Sequence, residues 1–334
     1  MAPSAFISTK ASAVTLEHAI GARLHWKRVL AEHHNQPKHF PMSQQAAHLV
    51  EPINPVQSLA NQTQAILIEP PGRWEALELR ELWRCRELLY FLVWRDVKVR
   101  YKQTVIGVAW AVLQPFLTMV VFSIIFGGLL RVPSEGVPYP VFSYAGLLSW
   151  NFFSAALTRS GNSLVADANL ISKVYFPRLI LPLSAVISLI FDFAVAFVIL
   201  LGMMLFYGIV PGIAIVTLPL FLSLAFMTAL ACGLWLSAVN IKYRDVAYAI
   251  PFLTQFWLFL TPVAYPSSII PDRWRLLYGL NPMVGVVEGF RWALLGQQEL
   301  AWDLLVVTTI VVLALLIGGL FYFRRMEHEF ADVA

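Results

Sequence analysis

The sequence predicts an all-α integral membrane protein with six transmembrane helices and both termini cytoplasmic. Two observations predict that class. Of the 334 residues, 58% are hydrophobic and only 13% are charged, where an average soluble domain carries roughly 45–50% and about 25%. The apolar residues also collect in stretches of about 20, the length a helix needs to cross a bilayer core. Backbone polar groups in hydrocarbon must be satisfied within the segment, so those stretches are helices. The net charge of +4 is too small to point to nucleic acid.

Residues 1–70 are expected to form a poorly ordered cytoplasmic tail. They hold six of the seven histidines: His18, His25, His33, His34, His39 and His48. Such tracts can bind metal, but a solvated tail is the plainer expectation. No apolar run there is long enough for the core of a signal peptide. Met42 is an alternative natural start, which mass spectrometry of the native N-terminus would test.

Residues 72–102 are expected to form an amphipathic interfacial helix. Leu82, Cys85, Leu89, Leu92 and Val93 recur at three- and four-residue steps and so share one stripe. Arg84, Arg86, Glu87, Arg95 and Lys98 occupy the other positions. A helix carrying tryptophans and basic residues just before a span suits the plane of a membrane interface.

Residues 103–330 are expected to form the membrane domain. The uncharged stretches 103–130 and 137–158 give spans one and two. Residues 179–241 contain one charge, Asp192, and are too long for one crossing. The turn signal Tyr207-Gly208-Ile209-Val210-Pro211-Gly212 divides them into spans three and four. Residues 246–271 give span five and 304–323 span six. Lysine and arginine counts in the short loops set the orientation. Thirteen lie on the side of the termini, including Arg95, Lys98, Arg100 and Lys102, against four on the other.

Several chemistries are missing from the sequence. No lysine follows a glycine, so there is no phosphate-binding G-x-x-x-x-G-K loop. There is no H-E-x-x-H, no G-x-S-x-G and no cysteine–histidine metal cluster. The two cysteines, Cys85 and Cys232, are expected as free thiols. If ATP drives the protein, another polypeptide binds it, and the chain is not itself an enzyme.

Asp192 is the one ionisable residue expected inside the bilayer. A carboxylate there is costly and is a functional candidate, either as a proton relay or as a hydrogen-bonding partner between helices. Aromatics crowd the spans, with Trp110, Phe116 and Phe122 in the first and Phe252, Phe256, Trp257 and Phe259 in the fifth. They serve either as lipid-facing bulk and interfacial belts or as a path along which sugar rings slide. In the loop after span two, Leu164, Ala168 and Ile171 can share a short helical face able to dock into a partner's groove. After span five, residues 276–287 are uncharged but too short to cross, as in re-entrant or interfacial helices. Glu288 and Arg291, three apart, can pair there.

The stretch WRDVKVRYKQTVIG at 94–107, running into Trp110, Leu113, Gln114 and Pro115, resembles the signature of polysaccharide-export ABC transporter permeases. These are the membrane subunits of O-antigen, capsule and teichoic-acid exporters. Two further stretches match in order: Asn169-Leu170-Ile171-Ser172-Lys173-Val174-Tyr175-Phe176-Pro177, and Asn281-Pro282-Met283 with Glu288 and Arg291. The likeness covers residues 72–330 and omits the tail. It implies a homodimer in the cell inner membrane, paired with two copies of a separate ATPase that holds ATP and magnesium. The cargo would be a lipid-linked polysaccharide. Asn169, Leu170, Ile171, Lys173, Phe176 and Pro177 would receive the ATPase's motion. Asn281, Pro282, Glu288 and Arg291 would belong to re-entrant outer helices. The aromatics of spans one and five would line the channel. Arg95, Lys98, Arg100 and Lys102 would meet the lipid pyrophosphate, or simply set topology at an anionic lipid surface. Three rivals remain: an ABC permease for a small molecule, a membrane-embedded glycosyltransferase, and a proton-coupled transporter using Asp192.

Overall fold

The computed structural model describes residues 79–102, 107–296 and 300–333, with the side chains of residues 79–80, 107–111 and 328–333 outside the description. The tail expected over 1–70 also lies outside the described residues. Every regular element among the described residues is helical.

The chain runs α1 (Leu79–Arg84), α2 (Arg86–Lys102), α3 (Gly107–Phe122) and a π-helical turn (Ser123–Leu129). It continues through α4 (Tyr139–Ala166), the single-turn α5 (Ala168–Ile171), α6 (Ile180–Ile187) and α7 (Ile190–Phe206). Then come α8 (Leu218–Lys242), α9 (Val246–Leu260), α10 (Asp272–Gly279), α11 (Val284–Leu295) and α12 (Trp302–Val333). Four segments are long and apolar enough to cross a membrane: Val112–Leu129, Ile180–Phe206, Ile213–Lys242 and Trp302–Glu327. The protein is therefore an integral membrane protein.

Several boundaries differ from those the sequence suggested. The second helix does not stop with the uncharged stretch at Thr158. It continues to Ala166 and carries Arg159 two turns inside its end, because no residue after Thr158 breaks the helix. The third span is two helices, with Ser188 and Leu189 breaking the ladder. Asp192 therefore sits in the first turn of α7, near the middle of the apolar segment Ile180–Phe206. The fifth apolar run gives only 15 residues of helix before Thr261 turns extended. At 1.5 Å per residue that is about 22 Å, short of the hydrocarbon thickness. The turn at 207–212 forms where expected, with Gly208 at a φ of +71° that L side chains rarely adopt.

Helix α4 is the central mast. It packs most extensively on α8 and also touches α3, α6, α7, α9 and α11. Its first half is almost wholly buried, and Tyr144 there joins Phe153 and Leu157 of the second half in the main apolar cluster beside Phe221 and Phe290. A second cluster forms at the other end from Leu92, Leu164, Ile171, Phe176, Ile180, Leu234 and Phe323. Leu82, Cys85 and Leu89 pack against this second cluster. The apolar stripe of the interfacial segment is thus seated on protein, while Trp83, Tyr90, Phe91 and Trp94 stay exposed.

Candidate functional site

Two polar clusters flank a cavity along α4, and the residues marked by the sequence distribute unequally among them. At the α2 end, Arg95 donates from both terminal nitrogens to the carboxylate of Asp167, at 2.9 and 3.0 Å. Asp167 separates α4 from α5, so this forked contact ties α2 to the loop that follows α4. The Arg95 Nε also donates to Asp96 at 3.0 Å. Hydrogen bonding from Asp167, ahead of Asp96, holds the guanidinium pKa above its ordinary value.

One turn further along α2, Arg100 pairs with Asp192 and reaches Ser188 Oγ at 3.4 Å. The phenol of Tyr101 donates to the other Asp192 oxygen, and its ring meets Phe191 edge-on at 5.3 Å. The Asp192 carboxylate is therefore partnered by α2 on both oxygens. Lys98 Nζ lies 5.5 Å from the Trp94 ring centre, and Lys102 is exposed. Of the four basic residues expected at a lipid pyrophosphate, two are committed to carboxylates of the chain itself.

The loop after α4 divides its residues by face. Ile171 and Phe176 are buried, and Leu170 and Pro177 are half-buried. Asn169, Lys173 and Val174 point outward, and Tyr175 is 90% exposed. At the far end of the loop, the Arg178 backbone N–H donates to Glu327 Oε1 at 3.3 Å and its guanidinium to the Glu327 carbonyl. The loop is therefore anchored to α2 at one end and to α12 at the other.

A cavity of about 370 Å³ opens between α3, α4 and α7. Gln114 and Pro115 line it from α3, Asn151, Phe152, Thr158 and Arg159 from α4, and Asp192 and Phe193 from α7.

The aromatics do not form one surface. Phe252, Phe256 and Phe259 share an exposed face of α9 with Tyr248. Trp257 faces the other way, crossing Phe153 edge-on at 5.2 Å and donating Nε1–H to Asn281 Oδ1 at 2.9 Å. Phe116 is exposed on α3, and Phe122 is half-buried against Phe126. The side chain of Trp110 lies outside the described residues.

At the α11 end, Asn281 closes a turn by donating to the Leu260 carbonyl and to Thr261 Oγ1, both at 3.1 Å. Pro282 is buried behind it. Arg291 donates to the carbonyls of Val263 at 2.6 Å and Tyr265 at 3.3 Å, with Glu288 at 3.5 Å. Its guanidinium carbon sits 3.7 Å from the Phe142 ring centre. Gly146 makes room, since a Cβ there would lie 2.9 Å from Arg291 Nη2.

The sequence reading missed Asp167, Tyr175 and Arg159 as site residues. Tyr175 stood within a recognised stretch and needed only its outward face. Arg159 had a signal, because nothing between Thr158 and Ala166 ends a helix. Asp167 had none, because its partner is 72 positions away.

The family model described as ABC-2 type transporter matches residues 87–295. The O-antigen export system permease protein RfbA of Myxococcus xanthus is 31% identical over 259 residues, covering 76% of this chain and 98% of that protein. A protein of the same name from Klebsiella pneumoniae is 27% identical over 248 residues, covering 74% and 95%. The polysialic acid transport protein KpsM of Escherichia coli is 24% identical over 241 residues, covering 70% and 91%.

Proposed function

The chain belongs to the ABC-2 type transporter family, and from that membership we propose that it is the permease subunit of an exporter of a lipid-linked, O-antigen-like polysaccharide. It works in the cell inner membrane, driven by a separate ATPase subunit that carries ATP and magnesium. The observation that carries this reading is the end-to-end match to an O-antigen export permease, 98% of whose length is covered.

Six crossings, with both termini cytoplasmic, fit the lysine and arginine distribution. They require α4 and the short α9 to cross beside the four strongly apolar segments. The permease acts as a homodimer with two ATPase copies. Phe252, Phe256 and Phe259 face the second copy and line the path with flat, weakly selective surfaces. The outer end carries α10 and α11 as re-entrant helices around Asn281, Pro282, Glu288 and Arg291.

In this mechanism the ATPase grips the outward residues Asn169, Lys173 and Tyr175. Buried Ile171 and Phe176 pass the push into the second apolar cluster. The Arg95–Asp167 fork hands part of it to α2, and Arg100–Asp192 hands it on to α7. Separation of the two copies along α9 then opens the path. The chain itself makes and breaks no covalent bond.

Co-expression with the neighbouring ATPase, extraction in mild detergent and assay of ATP hydrolysis test the reading. A stable complex whose rate changes with lipid-linked glycan is the expected result. A deletion strain in which this chain fails to restore surface polysaccharide would overturn it.

A further inference from the structure

One cationic group faces a cavity. Arg159 lines the cavity between α3, α4 and α7 and is neither hydrogen-bonded nor ion-paired to any described residue. The carboxylate nearest in the cavity wall, Asp192, is already occupied by Arg100 and Tyr101. Asp96, also within electrostatic reach of Arg159, is held by Arg95. Its guanidinium is exposed and opens onto the cavity with no contacting counter-charge among the described residues, so it is available to an anion.

The rest of the wall suggests what fills it. Asn151 lies eight residues before Arg159 on α4, about 12 Å along the axis. Its amide and that of Gln114 also form no hydrogen bond with a described residue and face the same space. Phe152 and Phe193 supply ring faces beside them. A charged end followed by amides and aromatic rings matches an anion that carries hydroxyl-bearing groups. The helices around it are apolar, with Leu113, Leu117 and Phe191 exposed nearby, so the occupant reaches it from the membrane. The common anion carried on a lipid is phosphate, whose oxygens suit the guanidinium fork.

We propose that the α3–α4–α7 cavity is a binding site for the phosphate group of a lipid, with Arg159 as the anion-contacting residue and Asn151 and Gln114 meeting the polar groups beyond it. This deepens the export reading and rests on it. It moves phosphate recognition away from Arg95 and Arg100, whose forks are occupied. Two lipids share the chemistry: the prenyl diphosphate carrier of the glycan and an anionic phospholipid of the bilayer.

The test uses the complex of this chain with its ATPase in phosphatidylcholine nanodiscs. It is titrated with farnesyl diphosphate and, in a second series, with phosphatidylglycerol, with bound lipid counted by mass spectrometry. Arg159→Gln is expected to weaken binding about tenfold to a hundredfold, and Arg159→Lys to lose less than the glutamine variant, because it keeps the charge while giving up the fork. Arg159→Met replaces the glutamine variant if that variant does not elute as an intact complex. Loss with either lipid upholds the site and says which lipid fills it. Unchanged binding of both, or no binding of either by the wild type, overturns it. Restoration of surface polysaccharide by the wild-type chain is scored separately. A chain that restores export while Arg159→Gln binds normally removes the site and leaves the permease reading standing.

Discussion

The two ends of α4 use the same chemical pair in opposite ways. At the α11 end, Arg291 and Glu288 have side chains only 2% and 7% exposed and lie three residues apart on one helix. Their other partners are backbone groups and a ring. At the α2 end, Arg95 and Asp167 are 34% and 21% exposed and bridge separate elements. A buried pair that loses one partner leaves an uncompensated charge, at a cost of about 3–5 kcal/mol. A partly exposed pair is screened by water and is worth less than a fully buried one. The α11 end is therefore expected to be held more tightly than the α2 end.

The sharpest way to break that contrast is Arg291→Leu. It strands the Glu288 carboxylate and the Val263 and Tyr265 carbonyls, and is expected to cost about 3–5 kcal/mol. The readout is loss of the monodisperse peak in fluorescence-detected size exclusion. Gly146→Ala crowds the same guanidinium and the Val263 backbone, for an expected loss of about 1–3 kcal/mol and a lower Tm. At the other end, Asp192→Asn takes the counter-charge away from Arg100 in a half-buried setting, and a Tm fall equivalent to about 1–2 kcal/mol is expected. A double-mutant cycle of Arg95→Gln with Asp167→Asn is expected to give a coupling of only about 0.5–1 kcal/mol. Tyr175→Ala is expected to leave Tm in place while uncoupling ATP hydrolysis from export in reconstituted complexes. A Tm loss at Arg95 as large as at Arg291 would erase the distinction between the two ends.

Much of the helical order was legible because uncharged length is a one-dimensional signal. The turn around Gly208 and the stripe Leu82, Cys85, Leu89 and Leu92 came from residue types and spacing alone. Glu288 with Arg291 was legible too, since a three-residue step defines a helical neighbour. Asp192 could be marked as unusual, yet its partner Arg100 is 92 positions away and no local rule joins them. The inward turn of Trp257 was equally hidden. α9 is apolar nearly all round, and such a helix does not announce its faces. At the end of span two, hydropathy and helix part company, since the uncharged stretch ends at Thr158 while the helix runs on to Ala166. Arg159 changes the first property and leaves the second intact.

The length of α4 has a consequence of its own. Its 28 residues make a rod of about 42 Å, pinned near one tip beneath Arg291 and linked at the other to Asp167. A rocking of about 5° around Gly146, about 32 Å along the rod from Asp167, sweeps that far tip through about 3 Å. Added to a fork contact of 2.9 Å, that carries it beyond the reach of a hydrogen bond, so a rotation too small to disturb packing near the pivot is enough to unlatch the fork at the far end.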